Sequence, residues 1–586
     1  MAAWLGVILC LSLVVGAISS PAVSGSPTLR LSFGSCSQTN REQPFWADMA
    51  TRAPDMFVWL GDIIYADKPI FAKWRVPASV DDIASQYAMQ RARPEYAAFL
   101  AHGGAGGTPP LIVGVWDDHD LGVNDADERV PASFLNASQA LLQDFLNVPE
   151  DSPLRTRIGA YSAWDIEVPK TTMEEGTSGS SGAAVRGGLG RARLVGEGGI
   201  RTANKELRLR VRLILLDVRT HRSPWGEASH DMLGPAQWAW LEGALKDSVE
   251  AGAAVTLIGS GIQVLAPGDP PVTEGWGRAP AALAKLVALL GVTRTRGAFL
   301  LSGDVHFGEL NVAEGARAIL GYPLWEFTSS GLTHSWGGLV KASTAAALLV
   351  GSTRAPLPAG EPWTPGSSSE PISACASDVP WRTFAWAAAR AVGFKSPETG
   401  LCFYAGRNWG EVDIQLDDGA DGGDAVGVVR MRLWGEDGAV RLKHEVPLAD
   451  LVPASHKLGK VGAGAGAGAG SLSDAQIAAC ARADLSAGVT RECAALLAAL
   501  LPRIGWGSAL RHVGAHSAIL VGALVGLAAM LTGPPLLLVL AVARAPKLLP
   551  FTPPMIAKAA AVAAVAIVTT LLLTPPCLFV AESLMT

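Results

Sequence analysis

Five short apolar runs in this chain each break off at a polar, metal-competent motif, and that recurrence constrains the fold more than any other feature. The run at 28–34 ends in FGSCSQ (33–38), the run at 56–60 in GDIIYAD (61–67), and the run at 111–116 in WDDHD (116–120). Two later runs, 254–260 and 297–302, end in GIQVL (261–265) and GDVHFGE (303–309). Short aliphatic and β-branched runs bounded by Gly and Asp read as buried strands. Side chains gathered just beyond strand ends are how open α/β folds build their sites. Stretches 81–101, 136–147, 234–250 and 279–290 carry apolar residues at spacings of three and four and predict helices, while 209–217, 409–416 and 426–434 predict further strands. The alternation gives an α/β sandwich, with the last two strands closing an edge.

A single Gly-Asp after a strand is ordinary turn chemistry. Five polar motifs at five strand ends are not, and carboxylates crowded to this degree repel one another unless cations hold them together. The pattern therefore points to a multi-metal centre.

The ordered set GDxxYxD, then DDH followed by an acidic residue, then SGDVH resembles the signatures of the PhoD-like alkaline phosphatases of the calcineurin-like metallophosphoesterase superfamily. LLDVRTHR (215–222) and TSSGLTHSW (328–336) also look like segments of that family, and the resemblance covers roughly residues 28–440. It implies a four-layer α/β/β/α sandwich with iron and calcium ions in the site. Carried over by motif, Cys36, Asp62, Tyr65 and His306 would bind the iron, since thiolate and phenolate donors suit a ferric ion. Asp62 would bridge to a second metal on Asp118 and Asp304, whose hard oxygens suit calcium.

Three departures from the wider superfamily stand out. Ser35-Cys36-Ser37-Gln38 replaces an Asp-x-His motif, Asp117-Asp118-His119-Asp120 replaces a Gly-Asn-His-acid motif, and Gln263 stands where many relatives carry a histidine. His119, beside the metal-competent Asp118, is the candidate to protonate a leaving alkoxide, oriented by Asp67 or Asp120. The competing reading is a surface histidine bonded to adjacent carboxylates. Arg219, His334 and Gln263 are candidate substrate contacts, although Arg219 could equally pair with a structural carboxylate.

Both ends of the chain are apolar, which lifts the mean hydropathy to +0.28. LGVILCLSLVVGAI (5–18), followed by small residues, predicts a signal peptide over 1–25, with an uncleaved anchor as the alternative. Stretches 517–543 and 559–581 are uncharged and long enough to span a bilayer, although Gly533-Pro534-Pro535 and Pro575-Pro576 leave a re-entrant hairpin open. Arg544, Lys547 and Lys558 lie between them, which puts that loop in the cytosol and the large domain in the secretory lumen or outside the cell. A metallophosphatase domain is thus expected over 26–455, a Gly/Ala linker over 456–471, and a Cys-bearing helical juxtamembrane segment over 472–515. Segments 170–204 and 352–380, rich in Gly, Ser and Pro, read as insertions or surface loops.

The ectodomain cysteines number five, Cys36, Cys375, Cys402, Cys480 and Cys493, which permits two disulfides and one thiol. We expect Cys375 with Cys402 and Cys480 with Cys493, leaving Cys36 as a metal ligand or an ordinary buried thiol. Asn136-Ala137-Ser138 is a glycosylation sequon inside a predicted helix. A net charge of −6 leaves no basic stripe for a nucleic acid, so the expected partners are a phosphate ester, small-molecule or lipid, and a membrane. The leading function is phosphate monoester or diester hydrolysis with in-line attack on phosphorus. The alternatives are a catalytically silent receptor or adhesion module on the same fold and a purple-acid-phosphatase-like enzyme. Retention of all seven of Cys36, Asp62, Tyr65, Asp118, His119, Asp304 and His306 argues against the silent module; Cys36, and the lack of Gly-Asn-His and Gly-His-x-His motifs, argue against the latter.

Overall fold

The computed structural model of the chain describes residues 29–71, 74–169, 193–195, 207–225, 231–265, 274–335, 400–404, 406–416, 427–453, 472–485 and 490–500. In chain order the strands are β1 (Leu29–Gly34), β2 (Met56–Leu60), β3 (Lys68–Phe71), β4 (Trp74–Val76), β5 (Leu111–Val115), β6 (Ser162–Pro169), β7 (Arg193–Val195) and β8 (Leu207–Leu216). They continue as β9 (Val255–Ser260), β10 (Ala298–Ser302), β11 (Gly308–Ala313), β12 (Leu324–Ser329), β13 (Gly400–Tyr404), β14 (Asn408–Leu416), β15 (Gly427–Gly435) and β16 (Val440–Pro447). Helices relevant to the site are α1 (Phe45–Arg52), α2 (Val80–Ala92), α3 (Pro94–His102), α4 (Ala132–Phe145), α5 (Gly234–Glu250), α6 (Pro280–Val292), α7 (Arg317–Leu320), α8 (Asp474–Ala481) and α9 (Arg491–Leu500).

The class is α/β, with two mixed sheets. A six-stranded sheet runs β16-β15-β14-β1-β2-β5, and an eight-stranded sheet runs β13-β11-β12-β10-β9-β8-β6-β7. In the first, β1, β2 and β5 are mutually parallel while β14 joins β1 antiparallel. In the second, β8, β9, β10 and β12 are parallel. These strands read as unbroken apolar runs because they are covered on both faces. In β2, Phe57 and Trp59 turn outward against Trp46 of α1, at ring separations of 5.0 and 5.4 Å. Leu60 turns the other way, and a Cβ on Gly259 of β9 would meet its side chain at 2.7 Å. Phe33 of β1 meets Phe327 of β12 edge-on at 5.3 Å across the same interface. On the far side of the second sheet, α5 rests on β9, where the Ser248 and Thr256 hydroxyls are 2.9 Å apart.

Six of the seven parallel strands agree with expectation to within two residues; the seventh, β12, was not expected. The helix expected over 81–101 is two helices, α2 and α3: Arg93 between them is extended (φ −60°, ψ 124°), as a residue preceding proline tends to be. Asn136 is exposed on α4 while Ser138 beside it is buried. Insertion 170–204 contributes β7 to a sheet edge, which its Gly- and Ser-rich composition did not announce. Signal segment 1–25, segment 352–380, linker 456–471, both apolar stretches at 517–543 and 559–581, and Cys375 lie outside the described residues. Among the described residues no helix is long and apolar enough to cross a membrane.

The Cys-bearing segment does not stand apart from the two-sheet domain. Helices α8 and α9 are joined by the disulfide Cys480–Cys493 and pack on α6. Ile477, Leu485, Leu496 and Leu500 are buried, and Lys285 Nζ of α6 donates to the Ala483 carbonyl at 2.7 Å. Helix α6 is apolar nearly all round, as a helix packed on every side must be.

Cys480→Ala should therefore lower the unfolding free energy by about 3 kcal/mol, the size expected for closing so short a loop, while leaving catalysis unchanged. A chain ending at Pro453 should expose α6 and melt several degrees lower still. Equal melting temperatures for chains ending at 453 and 500 would show that the hairpin is not part of the domain.

Candidate metal centre

All seven parallel strands of the two sheets point their C-terminal ends at one crevice. Beyond β1 lie Ser35 and Cys36; beyond β2, Gly61 and Asp62; beyond β5, Asp117–Asp120. From the second sheet come Asp217–Arg222 after β8, Gly261–Gln263 after β9, Gly303–His306 after β10 and Ser330–His334 after β12. The glycines of both Gly-Asp pairs are there for close approach. A Cβ on Gly61 (φ +82°) would lie 2.4 Å from Asp117 Cβ, and one on Gly303 would lie 2.5 Å from Ser35 Oγ and 2.7 Å from the Leu60 carbonyl. Removing the side chain lets the two sheet edges meet where the carboxylates must converge.

Backbone strain concentrates at the same place. Cys36 (φ 62°), Asp62 (φ 49°), Asp304 (φ 72°) and His306 (φ 55°) are all left-handed, a conformation that non-glycine residues adopt at a cost and that clusters at functional sites. Sharp turns in the loops after β1, β2 and β10 thus aim these side chains into the crevice.

Asp62, Asp117, Asp118 and Asp304 each offer a carboxylate oxygen, and these oxygens lie within 4.8 Å of one another. Asp62, Asp118 and His119 form a second such group, and Asp118, Asp125 and Glu274 a third. At that spacing each ionised pair repels by roughly 3 kcal/mol at an effective dielectric of about 20. The protonation balance reflects it. Burial, then the charges of Asp118, Asp117 and Asp120, drive Asp62 well above the usual carboxylate range against the pull of His119. Burial and the neighbouring acids do the same to Asp304, and Asp117 is pushed up to about 6 by burial despite Arg219. Asp118 escapes: His119, Arg219 and two backbone N–H donors outweigh its burial and hold it below the ordinary value. Without added positive charge the cluster cannot be fully ionised.

The donor set fits cations. Asp62 Oδ2 accepts the Tyr65 hydroxyl at 2.8 Å and faces Cys36 Sγ at 3.5 Å, while its Oδ1 is buried with no hydrogen-bond partner among the described residues. His306 is fixed through its backbone N–H on Ser330 Oγ (2.8 Å), and its buried Nδ1 also lacks a partner there. Ser330 Oγ lies 3.0 Å from Cys36 Sγ. The Cys36 thiol and Tyr65 phenol are pushed well up, first by burial and then by the charge of Asp62. Oxygen lone pairs, an imidazole nitrogen and two groups that ionise only beside a metal are what a mixed hard and borderline cation site needs. His306 is not among the groups whose ligand atoms all converge; it approaches from the Ser330 side.

His119 Nδ1 lies 2.8 Å from Asp67 Oδ1, and its ring stacks 4.2 Å from Tyr65. Burial lowers its pKa, but Asp118, Asp62 and Asp67 raise it further, to about 10. Cations on Asp62 and Asp118 would cancel two of those three charges. Asp120 is engaged elsewhere: its oxygens accept from the backbone N–H groups of Ile64 (3.2 Å) and Asp117 (2.9 Å) and from the Tyr87 hydroxyl (3.3 Å). It shapes the DDHD turn, and Asp67 is the residue that fixes the His119 ring.

The three candidate substrate contacts have different surroundings. Arg219, fully buried, grips Asp117 through Nε and Nη2 and donates Nη1 to Glu274, with Asp118 at 3.7 Å. Gln263 donates to Glu309 (2.8 Å) and Thr328 (2.9 Å) inside the eight-stranded sheet. His334 lies against the ring of His306 at 4.4 Å, and its Nδ1 meets Thr333 Oγ1 at 3.0 Å. That hydroxyl already donates to the Cys36 carbonyl and accepts the Gln38 N–H, so His334 must be the donor through Nδ1. Its buried Nε2, without a hydrogen-bond partner among the described residues, then carries the lone pair. Glu274, which joins Arg219, Arg222 and the Trp225 indole N–H, gave no sequence signal, because it follows no strand end. Asp117 stood inside the DDHD motif and drew attention only as a departure from an amide.

No family model matches the chain, and no curated protein does. Among solved structures it is similar to one described as "Structure of PhoD", at 13% identity over 72% of each chain and a TM-score of 0.41.

Asp62→Asn or Asp304→Asn should lower bound metal, measured by elemental analysis of the purified protein, and reduce any turnover at least about a hundredfold, since each deletes an anionic donor. Full metal content in both variants would remove these residues from the ligand set. Arg219→Met should cost about 3–5 kcal/mol in a urea melt, because it strands Asp117 and Glu274 without their counter-charge.

Proposed function

We propose that this protein is a metal-dependent phosphoric ester hydrolase of the PhoD-like kind. The observation that carries the reading is the convergence of Asp62, Asp117, Asp118 and Asp304, with a buried and partnerless oxygen on Asp62, beside a histidine held by its own carboxylate. Ordered motifs in the sequence point the same way. Asp62, Asp118 and Asp304 would hold hard cations, calcium among them, and Cys36, Tyr65 and His306 would hold iron. Ions there supply electrophilic polarisation of a phosphoryl group and offset the charge that builds up during displacement.

The chain's own groups do the rest. Arg219, locked between Asp117 and Glu274, is a fixed positive charge at the back of the cluster, and Asp118, which accepts one backbone N–H on each oxygen, keeps lone pairs for a cation. With Nδ1 of His119 engaged by Asp67, Nε2 is the atom that hands a proton to a departing alkoxide. Asp67 keeps the imidazole upright while it does so. His334 borders the crevice from the β12 side, where a substrate oxygen carrying a proton could reach Nε2. The proposal includes membrane attachment through 517–543 and 559–581 with the catalytic domain on the lumenal or outer side, supported by the hydropathy of those stretches and the basic residues between them.

The full chain in detergent, supplied with iron and calcium, should hydrolyse a chromogenic phosphate ester. His119→Gln should lose about two to three orders of magnitude in kcat, in the range of general acid catalysis, and bound ferric iron should give a visible charge-transfer band that Cys36→Ser shifts. A metal-replete chain that turns over neither monoesters nor diesters would sink the hydrolase reading in favour of a silent module. Digestion of the large domain by protease added to sealed vesicles would reverse the proposed orientation.

A further inference from the structure

Arg75, on strand β4 of the β3–β4 hairpin, belongs to no motif that the sequence singled out, yet its side chain is 3% exposed. Two of its nitrogens are committed to Asp67: Nε pairs with Oδ2, and Nη2 donates to the main-chain carbonyl at 3.0 Å. The third, Nη1, is buried with no hydrogen-bond partner among the described residues. A guanidinium N–H can only donate, and leaving a buried charged donor unmet is costly, so the group that completes it is an acceptor, best an anionic one. The other oxygen of Asp67 holds His119, and His119 converges with Asp62 and Asp118. Arg75 is therefore one carboxylate removed from the metal-competent cluster.

We propose that Arg75 is a substrate-contacting residue that makes this site prefer phosphate monoesters, its Nη1 donating to a non-bridging oxygen of the dianionic phosphoryl group. This rests on the hydrolase reading above. A diester carries a second ester group in place of one charged oxygen and gains less from a further cation in the site. Arginine is required, because a lysine cannot grip Asp67 along one edge and present a second donor along another.

The test compares full-length wild type, Arg75→Met and Arg75→Lys on p-nitrophenyl phosphate and bis(p-nitrophenyl) phosphate, with equilibrium dialysis of inorganic phosphate as a readout independent of turnover. For Arg75→Met we expect kcat/KM on the monoester to fall roughly 10- to 100-fold more than on the diester, the size of a lost charge-assisted hydrogen bond, any loss common to both esters reporting the release of Asp67 and His119. Phosphate affinity should fall about tenfold. Equal losses on both esters would overturn the proposal and make Arg75 only a positioning residue for Asp67 and His119; unchanged phosphate affinity would overturn it as well. Should Arg75→Met fail to fold, the monoester-to-diester ratio of Arg75→Lys decides: a drop of about threefold or more supports the contact, and an unchanged ratio removes it. If wild type hydrolyses neither ester, the hydrolase reading fails on its own, and phosphate binding by wild type against the Arg75 variants still judges the arginine.

Discussion

Mutual repulsion among four clustered carboxylates, three buried and one, Asp304, half-buried, is the constraint around which this fold is arranged. Asp62, Asp117, Asp118 and Asp304 are brought within 4.8 Å by loops from both sheets, and nothing in hydrophobic packing favours that. The two-sheet core makes it possible. Strands buried on both faces hold the loop bases in place, and the left-handed turns at Cys36, Asp62, Asp304 and His306 are stable only because the strands that precede them are fixed. Part of the repulsion is met within the chain, by Arg219 against Asp117 and by backbone donors to Asp118. The remainder could be met by cations, and Asp62 offers an oxygen without a partner among the described residues.

Around that centre the charges are graded. Arg219 and Arg222 lie on the β8 side, tied to Glu274, while Arg75 is tied to Asp67. His119 sits between, fixed by Asp67, which in turn is gripped by Arg75. Preorganised charge of this kind needs no rearrangement during reaction.

Much of this was legible in the sequence, for a physical reason. Parallel strands covered on both faces write themselves as uninterrupted apolar runs, and a site built at their ends interrupts those runs with Gly, Asp and His. Asp62, Asp118 and Asp304 were found that way. Asp120 was misleading because proximity in sequence to His119 does not survive the tight turn, in which its oxygens fold back to Ile64 and Asp117. Glu274 and Arg75 were invisible because they reach the centre laterally, from a stretch ahead of α6 and from a hairpin, where no strand end marks them. The docking of α8 and α9 was hidden by the Gly/Ala run before them: the composition of a connection does not decide whether the helices beyond it pack back on the core.

The position of β1 carries a further consequence. This strand begins the described chain and lies at the middle of its sheet, with β2 on one side and β14 on the other, so that Arg30 pairs with Asp413 across 383 residues. Local contacts cannot complete that sheet. During synthesis the amino-terminal half must wait with one edge of β1 open until residues beyond 416 have emerged, and closing so long a loop is slow. The Cys36 thiol would spend that interval open to oxidation, and the unsealed edge of β1 open to mispairing with other chains. The order of synthesis therefore leaves β1 paired on one side only for as long as β14 is missing.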